Sequence, residues 1–227
     1  MKVIKYEYST VMELSITDNL PSELPCDITN IRAEVASFDL EKKSILELHN
    51  FSFVDRTVKV TIQLGRLDEK IQRLSRFESQ ILPDYPDSVF NIAHNSFTTD
   101  RRFHLTKFYN QRLATDIING YLLLSQKLGY PIIAVKHKTD VVGFAVLKPD
   151  SDNYHIHLAA VTPKYQGTGA ALSLYLAAYN YSINAGARYL IGRISTANTA
   201  VMNIYSLMNA KFSEPYDVFI KKIEDLK

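Results

Sequence analysis

The chain has 227 residues, of which 46% are hydrophobic and 22% charged, and its formal net charge is +2. These proportions are those of a globular protein with a sizeable core, and they argue against intrinsic disorder. Its short, scattered basic clusters argue against a nucleic acid or a membrane surface as the main partner, because such partners usually select a concentrated basic face.

Cysteine usage and the N-terminal sequence bear on the compartment. The sole cysteine, Cys26, excludes an internal disulfide and provides no thiolate cluster for a metal. Neither the N-terminal stretch MKVIKYEYSTVMEL nor any later stretch has an apolar run as long as a signal peptide core or a membrane span. We therefore expect a cytoplasmic protein without a metal site.

The first third of the chain predicts a small α/β domain. Residues 39–48 carry apolar side chains at helical spacing, and Asn50 suits a left-handed stop after them. Residues 51–64 are rich in β-branched and aromatic side chains and predict a strand. The charged stretch that follows ends in two prolines, which predicts a boundary between a domain of residues 1–85 and one of residues 86–227.

The rest of the chain alternates helical and strand patterns. In chain order it predicts a helix closed by Gly129, a hairpin of PIIAVK and VVGFAVLK, a strand YHIHLAAV, a helix over residues 170–185, a strand YLIGRIS, a helix NTAVMNIYSLM stopped by Asn209, and a strand DVFIKKI. The predicted buried face of the 170–185 helix consists of Leu172, Leu176, Tyr179 and Ile183. Hairpins combined with helical crossovers predict an α/β (α+β) fold with a mixed central sheet and flanking helices.

The segment VTPKYQGTGAA, residues 161–171, lies between the third of these strands and the helix after it. Gly167 and Gly169 free the backbone, and the first N–H groups of a helix point one way and carry partial positive charge. The segment is therefore either a turn that uses glycine for geometry or a cradle for a phosphate group. It lacks the Lys-Ser/Thr of an NTPase loop and the three-glycine spacing of a dinucleotide fold.

At this point the sequence resembles a known family. Residues 166–171, QGTGAA, resemble the Q/R-x-x-G-x-G/A pattern of the GNAT acetyltransferase superfamily, and residues 198–205 resemble its N-x-x-A-x-x-x-Y helix. The resemblance runs from about residue 86 to the C-terminus. It looks strongest to the dTDP-fucosamine acetyltransferase branch, because residues 51–57 and the pair Arg102-Phe103 resemble segments of that branch.

The resemblance implies that acetyl-CoA is a cosubstrate held largely by main-chain groups. The strand of residues 158–161 would bond the pantetheine arm and polarise the thioester carbonyl, and residues 166–171 would hold the pyrophosphate. Asn198 would contact the coenzyme, and it also suits a helix N-cap. The implied coenzyme-binding residues are Leu158, Ala159, Ala160, Val161, Gln166, Gly167, Thr168, Gly169, Ala170, Ala171 and Asn198.

Tyr205 matches the family tyrosine beside the coenzyme sulfur, which implies a general acid. A phenol with a pKa of about 10 can protonate a leaving thiolate whose own pKa is little more than a unit lower. The alternative is a tyrosine on the core side of the helix, sharing a face with Val201 and Met208.

His155 and His157 alternate along YHIHLAAV, so we expect both side chains on one face of that strand. Two histidines with no third ligand nearby in sequence argue against a metal site. Either imidazole could accept the amine proton, directly or through water, because histidine titrates near neutral pH. The alternative for each is a hydrogen-bonded structural residue.

Arg101 and Arg102 precede the helix that Gly129 closes. A guanidinium fork suits a diphosphate, so one of them could hold the nucleotide end of an activated sugar. The alternative is a solvated charge cluster at a helix start.

The resemblance implies an N-acetyltransferase that moves the acetyl group of acetyl-CoA to the amine of a nucleotide-linked 4-amino-4,6-dideoxy sugar. The amine would attack directly in a ternary complex, because a thiol nucleophile is not expected when Cys26 lies outside the core domain. The alternatives are another amine, such as a protein N-terminus, a polyamine or an antibiotic, and a module that binds acetyl-CoA without turnover. The sequence leaves the oligomeric state open, a homodimer included.

Overall fold

The computed structural model describes residues 2–5, 10–14, 30–97 and 111–223. Its strands are β1 Lys2–Lys5, β2 Thr10–Leu14, β3 Asn30–Ala36, β4 Ser52–Gln63, β5 Glu78–Leu82, β6 Ile132–His137, β7 Asp140–Asp150, β8 Asn153–Val161, β9 Tyr189–Ser195 and β10 Lys211–Lys222. Its helices are α1 Leu40–Leu48, α2 Glu69–Gln72, α3 Asp87–Ser96, α4 Gln111–Lys127, α5 Ala170–Asn184 and α6 Thr199–Leu207, with a 3-10 turn at Pro163–Tyr165. The predicted mixed α/β fold is confirmed.

Ten strands of the described part of the chain form one sheet, in the order β1-β2-β3-β10-β4-β9-β8-β7-β6-β5. Neighbouring strands are antiparallel except for two parallel pairs, β2 with β3 and β8 with β9. Helices α5 and α6 pack with one large apolar cluster, and this side of the sheet is called the α5 face below. Helices α3 and α4 pack with a second cluster on the opposite side, called the α4 face.

Local sequence signals placed several element ends correctly. Strand β9 covers the residues of YLIGRIS, and the hairpin of β6 and β7 forms as expected. The expected stops Asn50, Gly129 and Asn209 all adopt positive φ, at 62°, 65° and 56°. These positions are predictable because a helix must end in a conformation that glycine and asparagine tolerate best.

Two local predictions need correction. Strand β10 begins six residues before the predicted DVFIKKI, because a register shift between Ser213 and Tyr216 joins two strand pieces around Pro215, which has no N–H to donate to a sheet ladder. Along α5, Leu176 and Tyr179 are buried as predicted, but Ile183 is 37% exposed.

The buried surface of α5 is wider than the predicted stripe because a second layer covers the helix. The buried residues of α5 are Ala170, Ser173, Leu174, Tyr175, Leu176, Ala178, Tyr179 and Ser182. The connection between β4 and β5 runs along the helix, where the Leu67 N–H donates to the Tyr179 hydroxyl at 3.1 Å. The Arg76 and Phe77 N–H groups donate to Ser173 Oγ. A helix covered on more than one side loses the simple amphipathic pattern.

The N-terminal third of the chain contributes strands to the same sheet as the C-terminal part. Strand β4 lies between β10 and β9, with Thr57 opposite both Tyr216 and Ser195. Strand β3 pairs with the other edge of β10. One sheet therefore contains strands from both sides of residue 85. The division of the chain into domains of residues 1–85 and 86–227 stays a prediction.

Candidate functional site

The central feature is a split between the parallel strands β8 and β9. The two strands pair only from Asn153 with Tyr189 to His155 with Ile191. Beyond this point β8 continues along β7 to Val161, and β9 continues along β4 to Ser195. The edges of the two strands that face each other are therefore separated over the second half of β8.

A β-bulge at His157 bends β8 where the split begins. Val146 of β7 lies opposite Leu158, whereas Leu147 lies opposite Ile156, so His157 is the extra residue between them. The bulge also changes which side chains face which core: Ile156 packs on the α5 face and Leu158 on the α4 face, although both have even numbers. A bulge of this kind re-aims side chains and interrupts pairing, as is common beside binding sites.

Residues 166–171, called the glycine loop below, lie at the open end of this split. Gly167 and Gly169 have φ angles of 76° and 94°, in the left-handed region that other residues enter only with strain. Gly169 is the N-cap of α5 and has no side chain to accept from the first turn. The N–H groups of that turn, which have no partner within the helix, are thus left for a ligand or water.

The polar side chains of the loop hold the loop itself. Gln166 Nε2 donates to the Val161 carbonyl at 3.3 Å, and the same carbonyl accepts from Ser96 Oγ at 3.0 Å. Thr168 Oγ1 donates to the Tyr165 carbonyl at 2.7 Å. Main-chain groups are therefore the chief means by which residues 166–171 can bind an anion.

Arg76 lies beside this loop and was missed by the sequence reasoning. Its Cδ is 3.7 Å from the position that a Cβ on Gly169 would take. The Arg76 N–H donates to Ser173 Oγ at 2.9 Å, and that hydroxyl donates to the Gly169 carbonyl at 3.1 Å. The side chain is exposed. A lone arginine in a charged connection gives no local sign that it lies beside the loop. The bond that holds it there joins Arg76 to Ser173, 97 positions away.

Tyr205 is buried completely on the α5 face. Its ring meets the Tyr175 ring edge-on, with centroids 5.1 Å apart. Its hydroxyl has no hydrogen-bond partner among the described residues. Burial raises the pKa of Tyr205 well above its ordinary value of 10.0. The Tyr175 hydroxyl raises it further, because it is close enough to interact although it does not meet hydrogen-bond geometry. Core packing accounts for the ring but not for the hydroxyl, since an unpaired buried polar group costs about 1–3 kcal/mol.

The two histidines of β8 lie on the α4 face, opposite Tyr205. His155 follows Tyr154, which packs on the α5 face, and its Nε2 lies 3.0 Å from Asp150 Oδ2 at the closed end of the split. The His157 ring lies edge-on to Tyr121 and Tyr130, with centroid distances of 5.5 and 6.0 Å. His157 is thus at the point where the strands diverge, and His155 is at the point where they still pair.

The remaining predicted residues have simpler positions. Asn198 is the N-cap of α6, and its Oδ1 accepts from the Val201 N–H at 3.2 Å. Arg101 and Arg102 lie outside the described residues, so their predicted contact with a diphosphate stays a prediction.

Two further findings hold for the described part of the chain. Its His, Cys, Asp and Glu side chains form no group of three or more that could hold a metal ion. No helix there is both long and apolar enough to cross a membrane.

Comparison with known proteins agrees with this geometry. Residues 87–209 match the acetyltransferase (GNAT) family. No curated protein matches the chain. A GCN5-related N-acetyltransferase from Sphaerobacter thermophilus has a similar structure, with a TM-score of 0.60 and 11% identity, over 85% of this chain and 59% of that one. A GCN5-related N-acetyltransferase from Kribbella flavida has a TM-score of 0.57 and 11% identity, over 86% of this chain and 70% of that one.

A tandem GNAT protein from the clavulanic acid biosynthesis pathway has a TM-score of 0.58 and 11% identity, over 86% of this chain and 65% of that one. The chain spans less than two thirds of this structure and of the Sphaerobacter structure. At these identities the likeness establishes the fold alone.

Proposed function

Because the chain belongs to the acetyltransferase (GNAT) family, we propose that it transfers the acetyl group of acetyl-CoA to an amine. The observation that carries this proposal is the split between β8 and β9, which opens towards the glycine loop at the head of α5. A ligand that joins an anionic group to an extended amide chain fits this combination, because a strand edge binds such a chain and a helix start binds the anion.

Each part of acetyl-CoA has candidate binding residues along the split and the glycine loop. The Gln166 and Thr168 N–H groups already donate to the Pro163 and Tyr165 carbonyls. The other main-chain N–H groups of residues 166–171 would therefore bind the diphosphate, with Arg76, whose Cδ lies beside Gly169, as a charged donor. The separated edge of β8, residues Leu158, Ala159, Ala160 and Val161, would bind the pantetheine arm. Asn198, whose side chain already caps α6, would contact the coenzyme through its remaining polar groups. Acetyl-CoA supplies an activated acetyl group when it is bound.

The protein's own groups would divide the proton transfers. The amine nitrogen forms a bond to the acetyl carbon, the carbon–sulfur bond breaks, one proton leaves the nitrogen and one reaches the sulfur. Tyr205 lies on the α5 face of the split and His157 on the α4 face. We assign Tyr205 as the donor to the departing thiolate and His157 as the acceptor of the amine proton, through water. His155, held near Asp150, is the less direct acceptor.

The raised pKa of Tyr205 makes its phenol a weaker acid than a free tyrosine. This does not by itself prevent donation to the thiolate, because burial also destabilises a thiolate in the same environment and raises the pKa of the corresponding thiol. Donation is therefore favoured only while the sulfur is held away from water. A main-chain N–H of β8 would stabilise the negative charge that develops on the carbonyl oxygen.

For the acceptor we propose the amine of a nucleotide-linked 4-amino-4,6-dideoxy sugar. The support is the sequence resemblance to the dTDP-fucosamine acetyltransferase branch and the suitability of Arg101 or Arg102 for a diphosphate. Other amines are alternatives that an assay separates directly.

The test is amine-dependent release of thiol from acetyl-CoA by the full chain. The panel contains nucleotide-linked amino sugars, a polyamine, a peptide N-terminus and an aminoglycoside, with the product identified by mass spectrometry. We expect turnover with an amino-sugar nucleotide. Turnover with another amine alone would overturn the acceptor, and saturable acetyl-CoA binding without turnover across the panel would favour a binding module over an enzyme.

A further inference from the structure

Gly192 stands in the middle of β9 without a conformational reason for glycine. Its φ angle is not among the positive values of the described residues, so other amino acids could adopt the same backbone. A glycine in a strand interior weakens the strand and often marks a place where another group approaches the backbone closely. The neighbours of Gly192 should therefore explain it.

The approaching group is the hydroxyl of Tyr205. A Cβ on Gly192 would lie 2.5 Å from Tyr205 Oη and 3.3 Å from Tyr205 Cζ. The next contact is Val60 Cγ2 on β4, at 3.1 Å. The missing side chain thus makes a notch in β9, which Tyr205 fills from α6.

The notch lies at the start of the split. Ile191 is the last β9 residue that pairs with β8, so Gly192 is the first residue beyond that pairing. The hydroxyl in the notch is fully buried and has no hydrogen-bond partner among the described residues. A strand glycine and an unpaired buried hydroxyl, each of which costs stability, therefore meet at one point. An alanine at 192 with a phenylalanine at 205 would avoid both, with tight remaining contacts of 3.1 Å to Val60 Cγ2 and 3.3 Å to the ring.

We infer that Gly192 is a positioning residue, which fixes the Tyr205 hydroxyl at the divergence of β8 and β9 so that it can donate a hydrogen bond to a ligand atom in the split. The catalytic part of this inference rests on the proposed acetyl transfer. The packing part does not, because it follows from the distances around Gly192.

A double-mutant cycle tests the inference with Gly192→Ala, Tyr205→Phe and the combined variant. In the wild-type background we expect Gly192→Ala to lower the thermal midpoint and to lower kcat by up to about 10²-fold, the scale of a misplaced catalytic group, with KM for acetyl-CoA nearly unchanged. In the Tyr205→Phe background the alanine meets no hydroxyl. We therefore expect it to lower the midpoint by less and to leave kcat unchanged.

Gly143→Ala is the matched control. A Cβ there would meet Val161 Cγ2 at 2.9 Å and the Ala160 carbonyl oxygen at 3.0 Å, and Tyr205 is not among its contacts. Its effect on the thermal midpoint should be the same with Tyr205 and with Phe at position 205. If Gly192→Ala alone does not fold, the combined variant tests whether the Tyr205 hydroxyl is the cause. We expect the combined variant to fold, with a thermal midpoint near that of Tyr205→Phe.

If Gly192→Ala lowers the thermal midpoint equally in both backgrounds, the Tyr205 hydroxyl does not fill the notch at Gly192. Independent, multiplicative losses of kcat would overturn the positioning role. If the wild-type chain turns over no amine, the proposed acetyl transfer fails, while the thermal cycle still decides whether Gly192 holds the hydroxyl.

Discussion

Tyr205 combines complete burial, an unpaired hydroxyl and a raised pKa in one side chain. A phenol in this state stays protonated throughout the neutral range, so it is a donor for which the described residues offer no acceptor. Its neighbour Tyr175, whose pKa burial raises to about 12, is likewise neutral there. The feature that distinguishes Tyr205 is therefore a neutral hydroxyl and not a charge.

Replacing Tyr205 by Phe removes that hydroxyl and leaves the ring. We expect kcat to fall by about 10²-fold or more, the usual contribution of a general acid, with little change in KM for acetyl-CoA. Thermal stability should change little, because the hydroxyl makes no hydrogen bond of good geometry with the described residues. Steady-state kinetics and thermal unfolding check both parts. Tyr181→Phe, on α5 beside Tyr154, is the control and should keep the wild-type kcat. A wild-type kcat for Tyr205→Phe would contradict its role as the general acid.

At the scale of elements, α5 acts as a support with contacts on two sides. Its inner side packs on the sheet. The connection from β4 to β5 runs along the helix, and its Arg76 N–H donates to Ser173 Oγ of α5. Phe77 of this connection lies edge-on to Tyr165, which directly precedes the glycine loop. The connection thus fixes the loop and presents Arg76 to it, although it lies outside residues 87–209, the range that matches the family.

Arg76→Gln should weaken acetyl-CoA binding, because a charged donor beside the proposed diphosphate site is replaced by a neutral one. We expect a loss of roughly tenfold in Kd at low ionic strength, and less as salt screens the exposed guanidinium. Arg73→Gln is the matched control, since Arg73 is also exposed but pairs with Glu69. Calorimetric titration measures both, and equal Kd values for the two variants would exclude a role for Arg76.

The elements that sequence reasoning predicted well are those set by neighbours in the chain. The glycine loop, the cap at Asn198 and the stop at Asn209 follow from local backbone requirements. Arg76 and Gly192 were missed because their meaning comes from residues brought close by the fold. Tyr205 could be singled out by family resemblance, but its unpaired hydroxyl results from how α6 packs against β9 in the folded protein.

At the scale of the whole molecule, Asp217 of β10 binds three segments of the N-terminal third of the chain. Arg56 of β4 binds it with two bonds, of 2.6 and 2.9 Å, and Lys43 of α1 binds it at 2.8 Å. Ser37, after β3, donates at 2.7 Å. Burial alone would raise the pKa of Asp217, but these hydrogen bonds outweigh it and hold the pKa well below the ordinary range.

This cluster predicts a specific loss of stability in acid. Because the folded-state pKa of Asp217 is lowered, its contribution is complete above the unfolded pKa of about 4 and is lost progressively as the pH falls from there towards the lowered folded-state pKa. Asp217→Asn should lower the free energy of unfolding at neutral pH by about 3 kcal/mol, the lower end for a broken buried pair, because Arg56 is half-exposed and can hydrate. The difference from wild type should shrink in acid.

Denaturant unfolding from pH 7 to pH 3 measures both effects. Glu69→Gln breaks an exposed pair with Arg73 and is the control, expected to change stability by less than about 1 kcal/mol. A difference between wild type and Asp217→Asn that stays constant over this pH range would contradict the assignment.

The central claim is that acetyl-CoA binds between β8 and β9 with its diphosphate at the glycine loop. Hydrogen–deuterium exchange of the full chain, with and without saturating acetyl-CoA, tests this location most directly because it reports on main-chain N–H groups. We predict protection concentrated in residues 156–161 and 166–172, with little change in β1 to β3. Saturable binding that protects other segments and leaves these two unchanged would contradict the account.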